Sequence, residues 1–422
     1  MNNAMRNILA LAALSLASAA HAETVLIQNT TVDTMSDAGQ LIQTDVLVVD
    51  GRVAAIGRDL DSTDARIIDG TDKRLTPGVF NAMTQMGVVE IDAVHETYDA
   101  TAEGVDYSAS LAIIDAFNPN STVIPQNRIH GLTRALVAPS ASDTLFAGQV
   151  SIVNLSGKSG GSIEQQSVGV LVNYNEYAKG VAGGSRAAAL ASIRRALNDA
   201  QHFADKRRQY AAGEGRELSL PADDLDALLP VLQGEEYLFV KVSRASDILK
   251  ILEVGESYNL RMILVGAQEG WMVADAIAEA GTPVIIDPTE NLPEQFQTLG
   301  ARLENPALLH AAGVDIMFTG MGWQNTHNAY LVTQCAGVAV AHGLPYEAAM
   351  AALFSTPSTV FSLDNSGRIA ADMPADMVLW SGDPLELVRE AELVFVAGEQ
   401  VPMVSRSTRL RDKYLAKNSE QD

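Results

Sequence analysis

Eight short apolar stretches, the later ones separated by helical segments, constrain this chain more than any other feature. They read VFNAMTQMG (79–87), LTRALVAPS (132–140), QVSIVNL (149–155), VGVLVNY (168–174), YLFVKVS (237–243), RMILVGA (261–267), TPVIID (282–287) and VDIMFTG (314–320). Most are rich in Val, Ile and Leu without polar alternation. Strands of that kind are buried on both faces, as in parallel sheets. Between the later ones lie GGSRAAALASIRRALNDAQHFADKRRQY, ASDILKILEVGESY and GWMVADAIAEAG, which read as helices. The alternation predicts an α/β chain built on a (β/α)8 TIM-like barrel over residues 78–366. A doubly wound open sheet is the alternative.

The flanks have a different texture. Residues 24–75 carry short strands, with Asp50-Gly51 between VLVV and RVAAIG as a two-residue hairpin signal. Short strands return after residue 366 in GRIAADMPADMVLWSGDP and AELVFVAGEQVPMV. The expectation is a small composite β-sandwich domain, residues 23–77 plus 367–405, into which the barrel is inserted. Residues 406–422 read as a charged tail.

The first 22 residues, MNNAMRNILALAALSLASAAHA, place one Arg before an apolar run and end in small residues. That is the pattern of a secretory signal peptide. The run is shorter than the roughly 20 residues a bilayer span needs, so no membrane insertion is expected. The expected destination is the periplasm, with the mature chain beginning near Glu23. Cys335 is the single cysteine, so no internal disulfide can form. A net charge of −23 repels phosphate backbones and argues against a nucleic-acid partner.

Four stretches together resemble the amidohydrolase superfamily, in particular its imidazolonepropionase-like and dihydroorotase-like relatives. DVLVVDGRVAAIG leads into IIDGTDKRLTPGVFNAMTQMG. AGVDIMFTGMGWQNTHNAYLVTQCAGVAVAHGLPYEAAMAALFSTPSTVFSL resembles the last barrel strand and the helices after it. GRIAADMPADMVLWSGDPLEL and VFVAGEQV resemble the return to the small domain. The resemblance implies hydrolysis of C–N bonds, other than peptide bonds, in cyclic amides or similar small molecules. It also implies a divalent metal, zinc or similar, held at the C-terminal ends of the barrel strands. In that family His-x-His on strand 1, a Lys on strand 4, a His on each of strands 5 and 6, and an Asp on strand 8 form the site. The metal would lower the pKa of a bound water to about 7.

This chain departs from the pattern at each of those positions. Met83 and Gln85 stand at the His-x-His pair, and Asn173 is the nearest polar group on strand 4. Lys241 and Gly266 stand at the two further His positions, and Met321 at the Asp. Met and Gln are weak ligands and Gly is none. No metal or other cofactor is therefore expected.

The remaining candidates lie around the same mouth. Lys241 is expected to point into it, to bind an anionic ligand in place of the cation, or to pair with Glu269 or Asp287. Trp323 is a candidate stacking wall. His95 and His327 follow strands 1 and 8 and read as surface or loop histidines. The stretch GKSGG (157–161) matches G-x-S-x-G in letters but reads as a loop rather than a nucleophile elbow. Three functions stay open: a hydrolase of rewired chemistry, a non-catalytic small-molecule-binding pseudoenzyme, and a partner subunit of an active paralogous amidohydrolase. A homo-oligomer is compatible with all three.

Overall fold

The computed structural model describes residues 24–419 apart from positions 62, 106, 142 and 291. The expected signal peptide lies outside the described residues. The described strands form two sheets.

The first sheet draws on both ends of the chain. From the N-terminal part come β1 (Val25–Asp33), β2 (Gln40–Val49), β3 (Arg52–Gly57), β4 (Arg66–Asp69) and β5 (Arg74–Pro77). β2 and β3 form the hairpin read from Asp50-Gly51, with Val49 opposite Arg52. Asp50 and Gly51 have φ of 53° and 74°, the left-handed pair that a tight two-residue hairpin requires. The C-terminal part returns as β14 (Met377–Trp380), β15 (Ala391–Val396) and β16 (Glu399–Gln400). β14 pairs antiparallel with β5, placing Trp380 opposite Arg74. Inward residues of both halves, among them Val25, Ile27, Leu75, Met377 and Phe395, share one core.

The second sheet is the barrel. Its strands are β6 (Val79–Thr84), β7 (Leu132–Val137), β8 (Phe146–Asn154), β9 (Ile163–Asn173), β10 (Tyr237–Val242), β11 (Met262–Gly266), β12 (Val284–Ile286) and β13 (Ile316–Phe318). They neighbour one another in chain order, and each overlaps one of the eight apolar stretches, β8 and β9 beginning three and five residues before theirs. The first and last strands close across side chains. Thr319 Oγ1 and Asn325 Nδ2 donate to the Met83 carbonyl at 2.7 and 3.0 Å.

One strand runs against expectation. β8 is antiparallel to both β7 and β9, whereas the other adjacent pairs are parallel. The connections explain it. Only residues 138–145 and 155–162 join these strands. A parallel crossover needs a dozen or more residues, so both joins are hairpins. The first hairpin consequently lies at the mouth, where the C-terminal ends of the parallel strands also lie. GKSGG forms part of the second, at the opposite end, and is no nucleophile elbow.

The barrel interior is solid below its mouth. Phe80, Leu136, Leu171, Phe239, Ile263, Ile285, Met317 and Phe361 pack together there. Phe239 and Phe361 stack with centroids 6.3 Å apart. The two sheets are joined by a buried ionic cluster. Arg134 on β7 donates to Asp376, just before β14, and Arg134 Nε lies 2.9 Å from Glu164. Thr133 Oγ1 donates to Asp376 at 3.1 Å.

Candidate functional site

Period-2 alternation along the strands decides which residues reach the mouth. Phe239 is in the interior plug, so Lys241 projects inward one layer above it. The same step takes Ile285 to Asp287 and Met317 to Thr319. Together with loop residues they line a cavity of about 570 Å³. Met83, Leu171, Val265 and Ile285 supply apolar walls. Gln85, Tyr98, Ser140, Asn175, Ser243, Gln268, Gln295, Gln297 and Asn325 supply neutral polar ones, and the charged groups are Lys241, Asp92, Asp287 and Glu290.

Five of the nine residues singled out from sequence therefore meet at this cavity: Met83, Gln85, Lys241, Gly266 and Asp287. Gln85 is fixed by its neighbours. Its Nε2 donates to Ser140 Oγ at 2.6 Å, and Tyr98 donates to its Oε1 at 3.2 Å. Gly266 has φ of 94°, a conformation that suits glycine, and the amide of Gln268 stands over it. A Cβ at 266 would lie 3.1 Å from Gln268 Oε1. That oxygen is buried and accepts no hydrogen bond among the described residues.

Three of the others, Asn173, Glu269 and Met321, do not join the cavity wall. Asn173 turns toward the β7–β8 hairpin, where its backbone N–H donates to the Leu145 carbonyl at 2.9 Å. Asn175 lines the cavity instead and caps the helix Glu176–Val181, accepting from Ala178 at 3.1 Å. Glu269 is buried as a backbone acceptor: its carboxylate takes the N–H groups of Ala245 and Gly300 at 3.0 and 2.8 Å. Met321 starts a turn at φ of 68°, and the cavity residue on that strand is Thr319. The side chain of Trp323 lies outside the described residues.

Asp287 is spoken for as well. It accepts from Thr289 N–H at 2.8 Å, from Thr289 Oγ1 at 2.6 Å and from Gly322 N–H at 3.0 Å. It holds a turn, so the expected pairing of Lys241 with Glu269 or Asp287 is not formed. Sequence reasoning missed the carboxylate that does act on Lys241, which is Glu290. Burial lowers the Lys241 pKa below the usual lysine range, and Glu290 opposes that shift. Burial raises the Glu290 pKa, Asp287 adds to the rise, and Lys241 works against it. Both side chains are open to the cavity space itself. Among the described residues Lys241 has no ion-pair partner within 4.0 Å. At the rim, His327 Nε2 meets the Glu90 carbonyl at 2.8 Å, and its Nδ1 lies 3.1 Å from Asp92. His95 is exposed in a short turn away from the cavity.

The donor set does not suit a divalent ion. Among the described residues no three or more His, Cys, Asp or Glu side chains are grouped to hold one. At the expected ligand positions stand a thioether, a hydrogen-bonded amide, an ammonium and a glycine. The ammonium would repel a cation placed beside it. No helix of the described residues is long and apolar enough to cross a membrane.

Comparison with known proteins bears on the architecture. No protein-family model matches the chain. The chain is similar to amidohydrolase tasK of Hapsidospora irregularis, 21% identical over 387 residues. The match covers 84% of this chain and 39% of that protein, so the chain spans about two fifths of the length of this curated relative. Among solved structures, an amidohydrolase from Thermotoga maritima MSB8 superposes with a TM-score of 0.79 at 24% identity, over 90% of this chain and all of that one. A molinate hydrolase superposes with a TM-score of 0.55 at 14% identity, over 91% of this chain and 95% of that one. The superpositions bear on the fold, and the chain has the fold of the Thermotoga maritima amidohydrolase.

Proposed function

We propose that this protein retains the small-molecule pocket of a hydrolytic amidohydrolase lineage and works without divalent-metal chemistry. One observation carries the reading. The mouth cavity is intact and walled by hydrogen-bonding side chains, while the family's ligand positions hold Met83, Gln85, Lys241 and Gly266. A pocket of this size, with apolar floor and convergent polar groups, suits a small organic molecule. The lineage points to cyclic amides or related C–N compounds as the molecules it takes up. Lys241 is the cation available to an anionic or polarised group of such a ligand. The pseudoenzyme reading follows if the ligand is bound and not turned over.

Metal content of the purified protein tests this directly. The expected outcome is less than stoichiometric metal, as isolated and after dialysis against zinc or manganese. One or two tightly held ions per chain would overturn the reading. A thermal-shift screen of cyclic amides then separates binder from enzyme, since a stabilising compound recovered unchanged marks a binder. Localisation in the periplasm belongs to the same proposal and is checked by cell fractionation.

A further inference from the structure

The cavity brings an amine and a carboxyl group together without letting them pair. Lys241 lines the cavity beside the apolar side chains of Leu171, Val265 and Ile285. Glu290 faces the same space from the segment after β12, packed over Gly322. The other acids at the mouth are engaged, Asp287 by Thr289 and Gly322 and Asp92 by His327. Neither therefore neutralises Lys241. A lysine that lines a cavity, has no ion-pair partner among the described residues and shares that cavity with a carboxyl group has the requirements of a carbonyl-reactive amine.

We propose that Lys241 forms an imine with a small aldehyde or ketone admitted to the cavity, and that Glu290 serves the proton transfers. This rests on the cavity being a metal-free small-molecule site, and it names an activity for that site. The chemistry balances without an oxidant or reductant. The neutral Lys241 amine attacks the carbonyl carbon, a C–N bond forms, and the carbonyl electron pair moves to oxygen, which takes a proton. The nitrogen gives up one proton to yield the carbinolamine. The Glu290 carboxylic acid then protonates the hydroxyl, the C–O bond breaks and water leaves. The iminium nitrogen returns its proton to the Glu290 carboxylate. The net change is carbonyl plus amine to imine plus water. Burial shifts both groups toward the forms this sequence needs, raising the fraction of free amine at Lys241 and of protonated acid at Glu290.

The test is reductive trapping. The protein is incubated at neutral pH with sodium cyanoborohydride and either glyoxylate or propanal, and the secondary amines formed are mapped by peptide mass spectrometry. Lys241 is expected to label faster than Lys179 and Lys250, because a lowered pKa raises the free-amine fraction at neutral pH. The fast-labelling peptide should be absent in Lys241→Arg protein that keeps the wild-type melting temperature. Labelling of Lys241 no faster than Lys179 and Lys250 with both probes overturns the proposal, and this readout needs no variant to fold. Metal is measured on the same preparation. Stoichiometric metal refutes the metal-free site, whereas metal-free protein without selective labelling refutes only the imine.

Discussion

Lys241 shows how one side chain can be placed by sequence and still be misjudged in its company. Strand alternation alone puts it inward above Phe239. Its electrostatic neighbour, Glu290, lies in an irregular segment with no periodicity to orient it. Glu269 was the more visible acid, but it sits where backbone N–H groups of Ala245 and Gly300 need an acceptor, and those hydrogen bonds took it. The state of Lys241 has a measurable consequence. Its folded pKa lies below the unfolded value of about 10.4. The cost of holding the ammonium is thus complete below the folded pKa and is relieved as pH rises through the window up to the unfolded value. Lys241→Met is expected to raise stability at neutral pH, with the gain shrinking as pH approaches that of an ordinary lysine. Urea melts of both proteins from pH 6 to 10 check this; a gain that is constant across the range contradicts it. Glu290→Gln should behave in the opposite sense. Its folded pKa is raised, so the variant gains stability above that pKa and loses the gain as pH falls toward the ordinary glutamate value.

Among the elements, β8 was identified as a strand and given the wrong direction. The information was in the chain, in the lengths 138–145 and 155–162, which are too short for crossovers. Its apolar run does not differ from that of a parallel strand, because burial on both faces erases the alternation that usually marks an antiparallel one. The reversal brings Ala138, Pro139 and Ser140 to the mouth, where Ser140 orients Gln85. A second element effect lies on the helix Ala222–Ala227. Buried Asp224 accepts the backbone N–H and the hydroxyl of both Ser108 and Ser110, at 2.6 to 3.1 Å. It thereby pins the long segment between β6 and β7 to the barrel wall. Asp224→Ala should cost about 3 kcal/mol, since buried N–H groups lose their acceptor. Denaturant unfolding measures that cost, and Ser108 and Ser110 amides should lose hydrogen-exchange protection before the barrel strands do. A cost under about 0.5 kcal/mol would show that the segment is held by its apolar contacts instead.

At the scale of the whole molecule, the ionic cluster of Arg134, Asp376 and Glu164 fastens barrel to sheet. Burial raises the Asp376 pKa while Arg134 pulls it down. Removing one partner of such a buried pair leaves an uncompensated charge, so Asp376→Ala should cost about 3–5 kcal/mol. A double variant, Arg134→Met with Asp376→Leu, should recover much of that loss. Chemical denaturation of both proteins tests the pair, and a single variant as stable as wild type would mean that the joint is carried by apolar packing such as Trp380 against Gly131.

The existence of the eight barrel strands and the hairpin at Asp50-Gly51 were legible in the chain alone. These follow from local periodicity and turn chemistry, which act over a few residues. Which polar groups at the mouth stay available to a ligand depends on long-range contacts. Hydrogen-bond demand from distant backbone claimed Glu269 and Asp287 and left Lys241 and Glu290 facing the cavity, and that competition is settled by contacts between residues far apart in the chain.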